Sequence, residues 1–451
     1  MSGYLLLFES MTPKVDAQAR SDEGRASIPE AGRIGEVPFC GRVRRMVRFQ
    51  DIKRQQTRRG KMRSSRILGV VALGALGWLT GCAGFFSDPN TTTATGSTTG
   101  DYVYVVNQET DTVAGFAITT GTLTALSTAT NSLTTGLSPT SAVVTRQNSI
   151  VYIGGNGAIQ AFSIGSSGVL AALSGGGITT SGVVESMATS PDGQWLLALS
   201  APSTTSQGAQ ISVYGINTST GLLTLAQSLS ITFPTTQSIG TVVPKALRIS
   251  PSGAYVAAAL GTAGDALFSF TTSTGLLAQT ANRAPATTTS SVGFLSDNTL
   301  TFDSTNDMLF IGTTGASTGQ SYITALPISG AGVLASTGQT IPSGDSPISL
   351  EMDSTGAYLY SANHASANIS GYTFSSATLA AMSSSPFATS SGINALVRDK
   401  SGDYIVAVSG SGSSDVTLYG FDAYTTGRLD AILGVVSGTD PADSVAAAAT
   451  H

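Results

Sequence analysis

The chain has 451 residues, of which only 11% are charged and 52 are Gly, and Ser, Thr and Ala fill long stretches of it. That composition excludes a helical enzyme core and suits short strands joined by tight turns, so the length fits one large all-β repeat domain. The formal net charge of −5 conceals an asymmetry: residues 1–82 hold 15 Lys+Arg against 7 Asp+Glu, while the rest holds 7 against 20, an acidity that excludes nucleic acid as a partner.

Residues 1–61 are basic and without hydrophobic periodicity, and Met62 is the expected start of translation, which leaves Cys40 outside the protein. From Lys61 the chain reads KMRSSRILGVVALGALGWLTGC, a basic start followed by an apolar run from Ile67 to Leu79. The run is shorter than the ~20 residues of a membrane span, so residues 62–82 read as a signal peptide. Its last four residues, Leu79-Thr80-Gly81-Cys82, resemble the lipobox of bacterial lipoproteins. That resemblance implies a lipid anchor on Cys82, a place in the cell envelope and, with Ala83 after the Cys, sorting to the outer membrane. Residues 83–100 form a polar linker, and the domain proper spans 101–451.

The domain repeats itself. Five turns, TGDY (99–102), DGQW (192–195), SGAY (252–255), TGAY (355–358) and SGDY (401–404), each precede an apolar strand. Two degenerate copies, QNSI (147–150) and TNDM (305–308), fill the gaps, giving spacings of 48, 45, 60, 53, 50 and 46 residues. Periods of this size with about four strands each predict a seven-bladed β-propeller of four-stranded antiparallel blades. Closing turns recur at TTGTL (119–123), SSGVL (166–170), STGLL (219–223 and 273–277), GAGVL (330–334) and TTGRL (425–429). Pro139, Pro244 and Pro347 each introduce a leading strand, where no ladder donor is lost.

The first repeat lacks its leading strand, because 84–100 holds no apolar run. Residues 438–451, GTDPADSVAAAATH, match 344–356, so this segment is expected to pair beside Tyr102–Asn107 and close the ring.

The segments YVYVVNQETDTVAGFAI (102–118) and YLYSANHASANISGYTF (358–374) resemble the YVTN β-propeller repeat. Together with the S-P-D/S-G turns they are similar to the lactonase-type seven-bladed propellers related to 6-phosphogluconolactonase, over roughly residues 101–450. The resemblance implies a fold first, because such repeats encode blade geometry.

Chemistry is sparse in the domain. Its two His, His364 and His451, and its lack of Cys predict no metal site and no cofactor. No nucleophile elbow or phosphate loop is present. Aligning the leading strands places five charges on the innermost strands: Glu185, Lys245, Arg248, Glu351 and Arg398. They read either as salt bridges, Glu185 with Lys245 and Arg248 with Glu351, or as a pocket in which Arg holds an anion and Glu activates water against a lactone. The resemblance implies channel chemistry by Arg, Glu and His, but no inner-strand His matches, so no catalytic residue is carried over.

Two functions remain open: a non-catalytic envelope module binding a protein or glycan partner, which the sequence favours, and a lactonase-like hydrolase of small cyclic esters. A monomer is expected. Mass spectrometry of the native membrane fraction should find an acylated Cys82 as the mature N-terminus; a free thiol there would contradict the anchor.

Overall fold

All seven aligned positions begin a strand. Tyr102–Asn107, Ile150–Gly155, Trp195–Pro202, Tyr255–Ala259, Met308–Thr314, Tyr358–Asn363 and Tyr404–Ser409 are each the second strand of a blade, counted from the axis. The computed structural model describes residues 100–451 except 203–207, 288–293, 306, 331, 390, 412–413 and 437–443, without the side chains of 127–130, 202 and 431–436. The expectations for residues 1–61, for the signal peptide 62–82 with Cys82, for most of the linker and for Pro441 therefore lie outside the described residues.

The protein is a seven-bladed β-propeller in which each blade carries four antiparallel strands. Blades 2 and 6 add a short fifth piece, Ile178–Thr179 and Phe387–Ala388, on the third strand. The innermost strands are Ser141–Val144, Gly182–Thr189, Ala246–Ile249, Ser296–Phe302, Pro347–Met352 and Ile393–Arg398 in blades 2 to 7. In blade 1 that place is taken by Ser444–Ala449, which pairs antiparallel with the second strand, Val103 opposite Ala449 and Asn107 opposite Ser444. The expected closure therefore forms.

Alternation along a strand sends successive side chains into opposite gaps between blades. Tyr104 and Val106 pack with Val144, Val151 and Ile153 of blade 2, whereas Val103 and Val105 pack with Val406 and Val408 of blade 7. Seven apolar clusters result, one for each gap, including the gap between blades 7 and 1. Because both faces of a blade are covered, the second strand YVYVVN is buried throughout.

The tyrosines of the YVYVVN type do a second job. Tyr104, Tyr152 and Tyr360, each third in its strand, donate their hydroxyls to the carbonyls of Gly168, Gly221 and Gly427 in the closing turn of the next blade. Those glycines sit at φ of 79°, 71° and 78°, the left-handed region that glycine enters without a Cβ clash. Blade 6 has no such glycine and turns instead through Ser376 and Ala377, both at positive φ.

One polar contact recurs in every blade. The residue closing each innermost strand accepts a hydrogen bond from the first N–H of the second strand: Thr145 from Ile150, Ser190 from Trp195, Ser250 from Tyr255, Asp303 from Met308, Asp353 from Tyr358 and Asp399 from Tyr404. Thr450 takes the seventh of these bonds, from Tyr102 at 3.0 Å. This satisfies a donor at the inner rim of each blade that would otherwise be lost to the core.

At the seam between blades 7 and 1 the buried Asp399 stands beside Asp101, whose carboxylate also accepts from the Lys400 N–H at 3.2 Å. Burial first, then a shared hydrogen bond and the charge of Asp399, push Asp101 up to about 7. A carboxyl that keeps its proton longer folded than unfolded stabilises fully below the unfolded value of about 4, and that contribution fades as pH rises toward 7. Asp265, also at about 7, acts in the same sense. Asp101→Asn retains a donor to Asp399 at every pH, so its melting temperature relative to wild type should rise between pH 5 and pH 8. An identical difference at both pH values would contradict the shared proton.

Candidate functional site

The innermost strands converge on a cavity of about 720 Å³ open to solvent. All five residues expected from the sequence, Glu185, Lys245, Arg248, Glu351 and Arg398, line it. Among the described residues blade 5 contributes only Thr299 to its wall, so the titratable lining comes from the other six blades.

Cations dominate this wall. Of the seven Lys and Arg that follow Cys82, five line the cavity: Arg146, Lys245, Arg248, Arg398 and Lys400. The other two are held elsewhere by carboxylates. Arg283 lies 2.7 Å from Asp265 and 2.9 Å from Asp297, a buried clamp between blades 4 and 5, and Arg428 pairs with Asp422 and Asp430 on the surface. A domain with a large negative balance thus turns most of its positive charge toward the channel, where low-dielectric walls concentrate the field.

The two salt bridges considered from the sequence are absent as contacts: among the described residues no ion pair within 4.0 Å joins Glu185 to Lys245 or Arg248 to Glu351. Instead the guanidinium groups are oriented by carbonyls. Arg248 donates to its neighbour Leu247 at 3.0 Å, and Arg398 reaches from blade 7 to the Met352 carbonyl of blade 6 at 2.9 Å. That second bond brings Arg398 beside Glu351, the residue preceding Met352.

Burial raises the Glu351 carboxyl above its usual range, and the charges of Arg398 first and Arg248 second oppose the rise. Arg398, on the neighbouring blade, is therefore the stronger electrostatic partner. Burial likewise raises Glu185, with Lys245 opposing. The arrangement is a carboxylate flanked by two guanidinium groups at a solvent-filled cavity, able to take a proton from water while cations hold an anionic oxygen.

Interblade hydrogen bonds fix the strands that carry these groups. Ser141 accepts from the Met187 N–H, Ser186 from Leu247 and Ser349 from Leu396, each at 3.0 Å. Asn394 continues the pattern at the seam by donating to the Ser444 carbonyl at 2.7 Å.

Sequence alignment of the leading strands missed Arg146, Lys400 and His451, because these residues follow the strand ends. The signal was there to read: each comes directly after a capping residue, Thr145, Asp399 or Thr450. His364, expected in a loop, does follow the second strand of blade 6, with Nδ1 at 3.3 Å from the Ile393 carbonyl.

Residues 296–395 match the family described as Lactonase, 7-bladed beta-propeller, a stretch that includes Glu351. Among solved structures the chain is similar to the periplasmic gluconolactonase of Pseudomonas aeruginosa, with a TM-score of 0.59 and 14% identity over 78% of this chain and 99% of that one. A protein of Bacteroides fragilis provisionally named 6-phosphogluconolactonase gives a TM-score of 0.58 and 17% identity over 81% and 100% of the two chains. Its counterpart from Bacteroides uniformis, named in the same provisional way, gives 0.57 and 18% over 73% and 94%. At these identities the likeness is one of fold. No curated protein matches the sequence.

Proposed function

We propose that this propeller is a lactonase-type hydrolase that opens small cyclic esters in its central channel, and that it works in the cell envelope, anchored through Cys82. The observation that carries the reading is the gathering of Arg248, Glu351 and Arg398 at an open cavity without contact pairing. A scaffold needs no such arrangement, and two guanidinium groups near a half-buried carboxylate without contact pairing serve chemistry better than packing. The lactonase family match over the stretch containing Glu351 supports it, as does the shared fold with a periplasmic gluconolactonase. These findings reverse the preference for a non-catalytic protein- or glycan-binding module.

In this reading Glu351 takes a proton from a water whose oxygen bonds to the lactone carbonyl carbon. Arg248 and Arg398 hold the oxyanion as negative charge develops on the carbonyl oxygen. The ring C–O bond then breaks, its electron pair stays on the alkoxide, and the proton held by Glu351 passes to it. The products are a hydroxyl and a carboxylic acid that ionises in water. No metal or cofactor is needed to balance the step.

Because Glu351 must be ionised to act, and burial raises its carboxyl, activity should climb with pH through a value above the ordinary carboxylate range. Proton release from glucono-δ-lactone, followed at constant pH, tests the assignment. Glu351→Gln and Arg248→Ala should each lower the turnover number by about 100-fold or more with melting temperature retained. Rates equal to the uncatalysed opening for a panel of five- and six-membered lactones would contradict the proposal.

A further inference from the structure

The repeat itself marks a second feature of the channel. The position directly after the capping residue is Pro191 in blade 3, Pro251 in blade 4, Ser304 in blade 5 and Ser354 in blade 6. In blades 7, 1 and 2 it is Lys400, His451 and Arg146. Three consecutive blades thus place a basic side chain at the same repeat position, all three lining the cavity at the end where the innermost strands stop. Arg398, two residues before Lys400, adds a further cation to this end.

His451 is held there by a specific lock. Asn148 donates its amide to the His451 carbonyl and accepts from the His451 N–H, both at 2.8 Å. One side chain thereby bonds both the N–H and a main-chain oxygen of residue 451, much as a neighbouring strand would. Asn148 stands in the left-handed region, φ 54°, in the turn where four other repeats have a left-handed glycine, Gly193, Gly253, Gly356 and Gly402. Asn tolerates that conformation better than other residues with a side chain, and here the side chain is used.

The lock also settles the imidazole. Nε2 lies 3.2 Å from the Val144 carbonyl, so it carries the hydrogen and Nδ1 keeps a bare lone pair. The surrounding wall, and the charges of Arg146, Arg398 and Lys400, hold the ring below its usual pKa, although the Val144 bond opposes this. A neutral acceptor therefore sits among three cations at neutral pH.

We propose that this end of the channel is a subsite for a hydroxy-carboxylate, its carboxylate held by Arg146, Lys400 and Arg398 and its hydroxyl donating to His451 Nδ1. Cations alone select any anion; a neutral lone pair beside them demands a hydrogen donor on the same molecule, and an isolated carboxylate has none. A hydroxy acid is also the class of molecule that lactone opening releases, so the inference rests on that reading for its biological sense. Its test does not depend on turnover.

Calorimetry with the full chain should show gluconate binding at pH 7.5 at least tenfold more tightly than acetate, the carboxylate alone, or glucose, the polyol alone. The chain holds only two His, so NMR of the imidazole nitrogens distinguishes them. Gluconate should shift Nδ1 of His451 and leave His364 unmoved. Arg146→Ala, at an exposed side chain outside the proposed catalytic set, should weaken gluconate at least tenfold, and Asn148→Gly, which keeps the turn, should weaken it and broaden the His451 signal. Equal affinity for gluconate and acetate, or gluconate binding indifferent to Arg146→Ala, would overturn the subsite. Should gluconate bind as described while no lactone is opened, the subsite stands and the hydrolase reading falls.

Discussion

A strand that belongs to the first sheet is supplied by the far end of the chain, and both the ring and its channel depend on that pairing. Ser444–Ala449 is mostly alanine, so its apolar burial is small and the backbone ladder carries most of the attachment. Small side chains suit the place, because the innermost strands crowd toward the axis. What fixes the register is polar: Ser444 donates to Asn107 at 2.8 Å, Thr450 caps Tyr102, and Asn148 holds His451. Each such bond is worth only about 1 kcal/mol net, but an opened edge on the fully buried Tyr102–Asn107 strand would strand several donors and acceptors at about 1–3 kcal/mol each. Closure is held chiefly by the cost of its alternative.

The same segment forms part of the wall of the cavity, so ring closure and site assembly are one event. Val445 through His451 line the channel, and Asn394 of blade 7 bonds to Ser444 from the other side. Around this wall the charge economy is strict. Few cations exist, two are committed to Asp clamps, and the remaining five face the channel. Such a gathering of like charge gives the fold nothing by itself, since neighbouring cations repel one another. It is intelligible if the channel receives an anion or generates one.

Much of the fold was legible because the repeat is written in turn chemistry. Gly or Asn at a left-handed position, an aromatic or apolar residue starting the second strand, and Pro ahead of the first strand recur at usable spacing, and they located all seven blades. The degenerate turn QNSI was found from its period; why it holds Asn became clear only when His451 was seen bonded to it. The capping residues were equally present in the sequence, five positions ahead of each second strand, as Thr145, Ser190, Ser250, Asp303, Asp353 and Asp399. They went unread because three chemically different side chains perform one task.

The site was legible in part. Leading-strand alignment brought out Glu185, Lys245, Arg248, Glu351 and Arg398, all of which reach the channel, but spacing along a strand says nothing about how far side chains on different blades stand from each other. Contact pairs between Glu185 and Lys245 or between Arg248 and Glu351 were a fair expectation on charge alone. The structure satisfies the two guanidinium groups with main-chain carbonyls instead, and brings Arg398 to Glu351 across a blade boundary. Arg146, Lys400 and His451 share one repeat position that the sequence displays, but that their strand ends meet at one rim is a three-dimensional fact.

The central claim is that residues 444–451 complete the first blade. Thermal unfolding of the chain with and without those eight residues tests it most directly. The account predicts that their removal lowers the melting temperature by more than about 10 °C and broadens the transition, as several kcal/mol of ladder bonding is lost; an unchanged, equally sharp transition would contradict it.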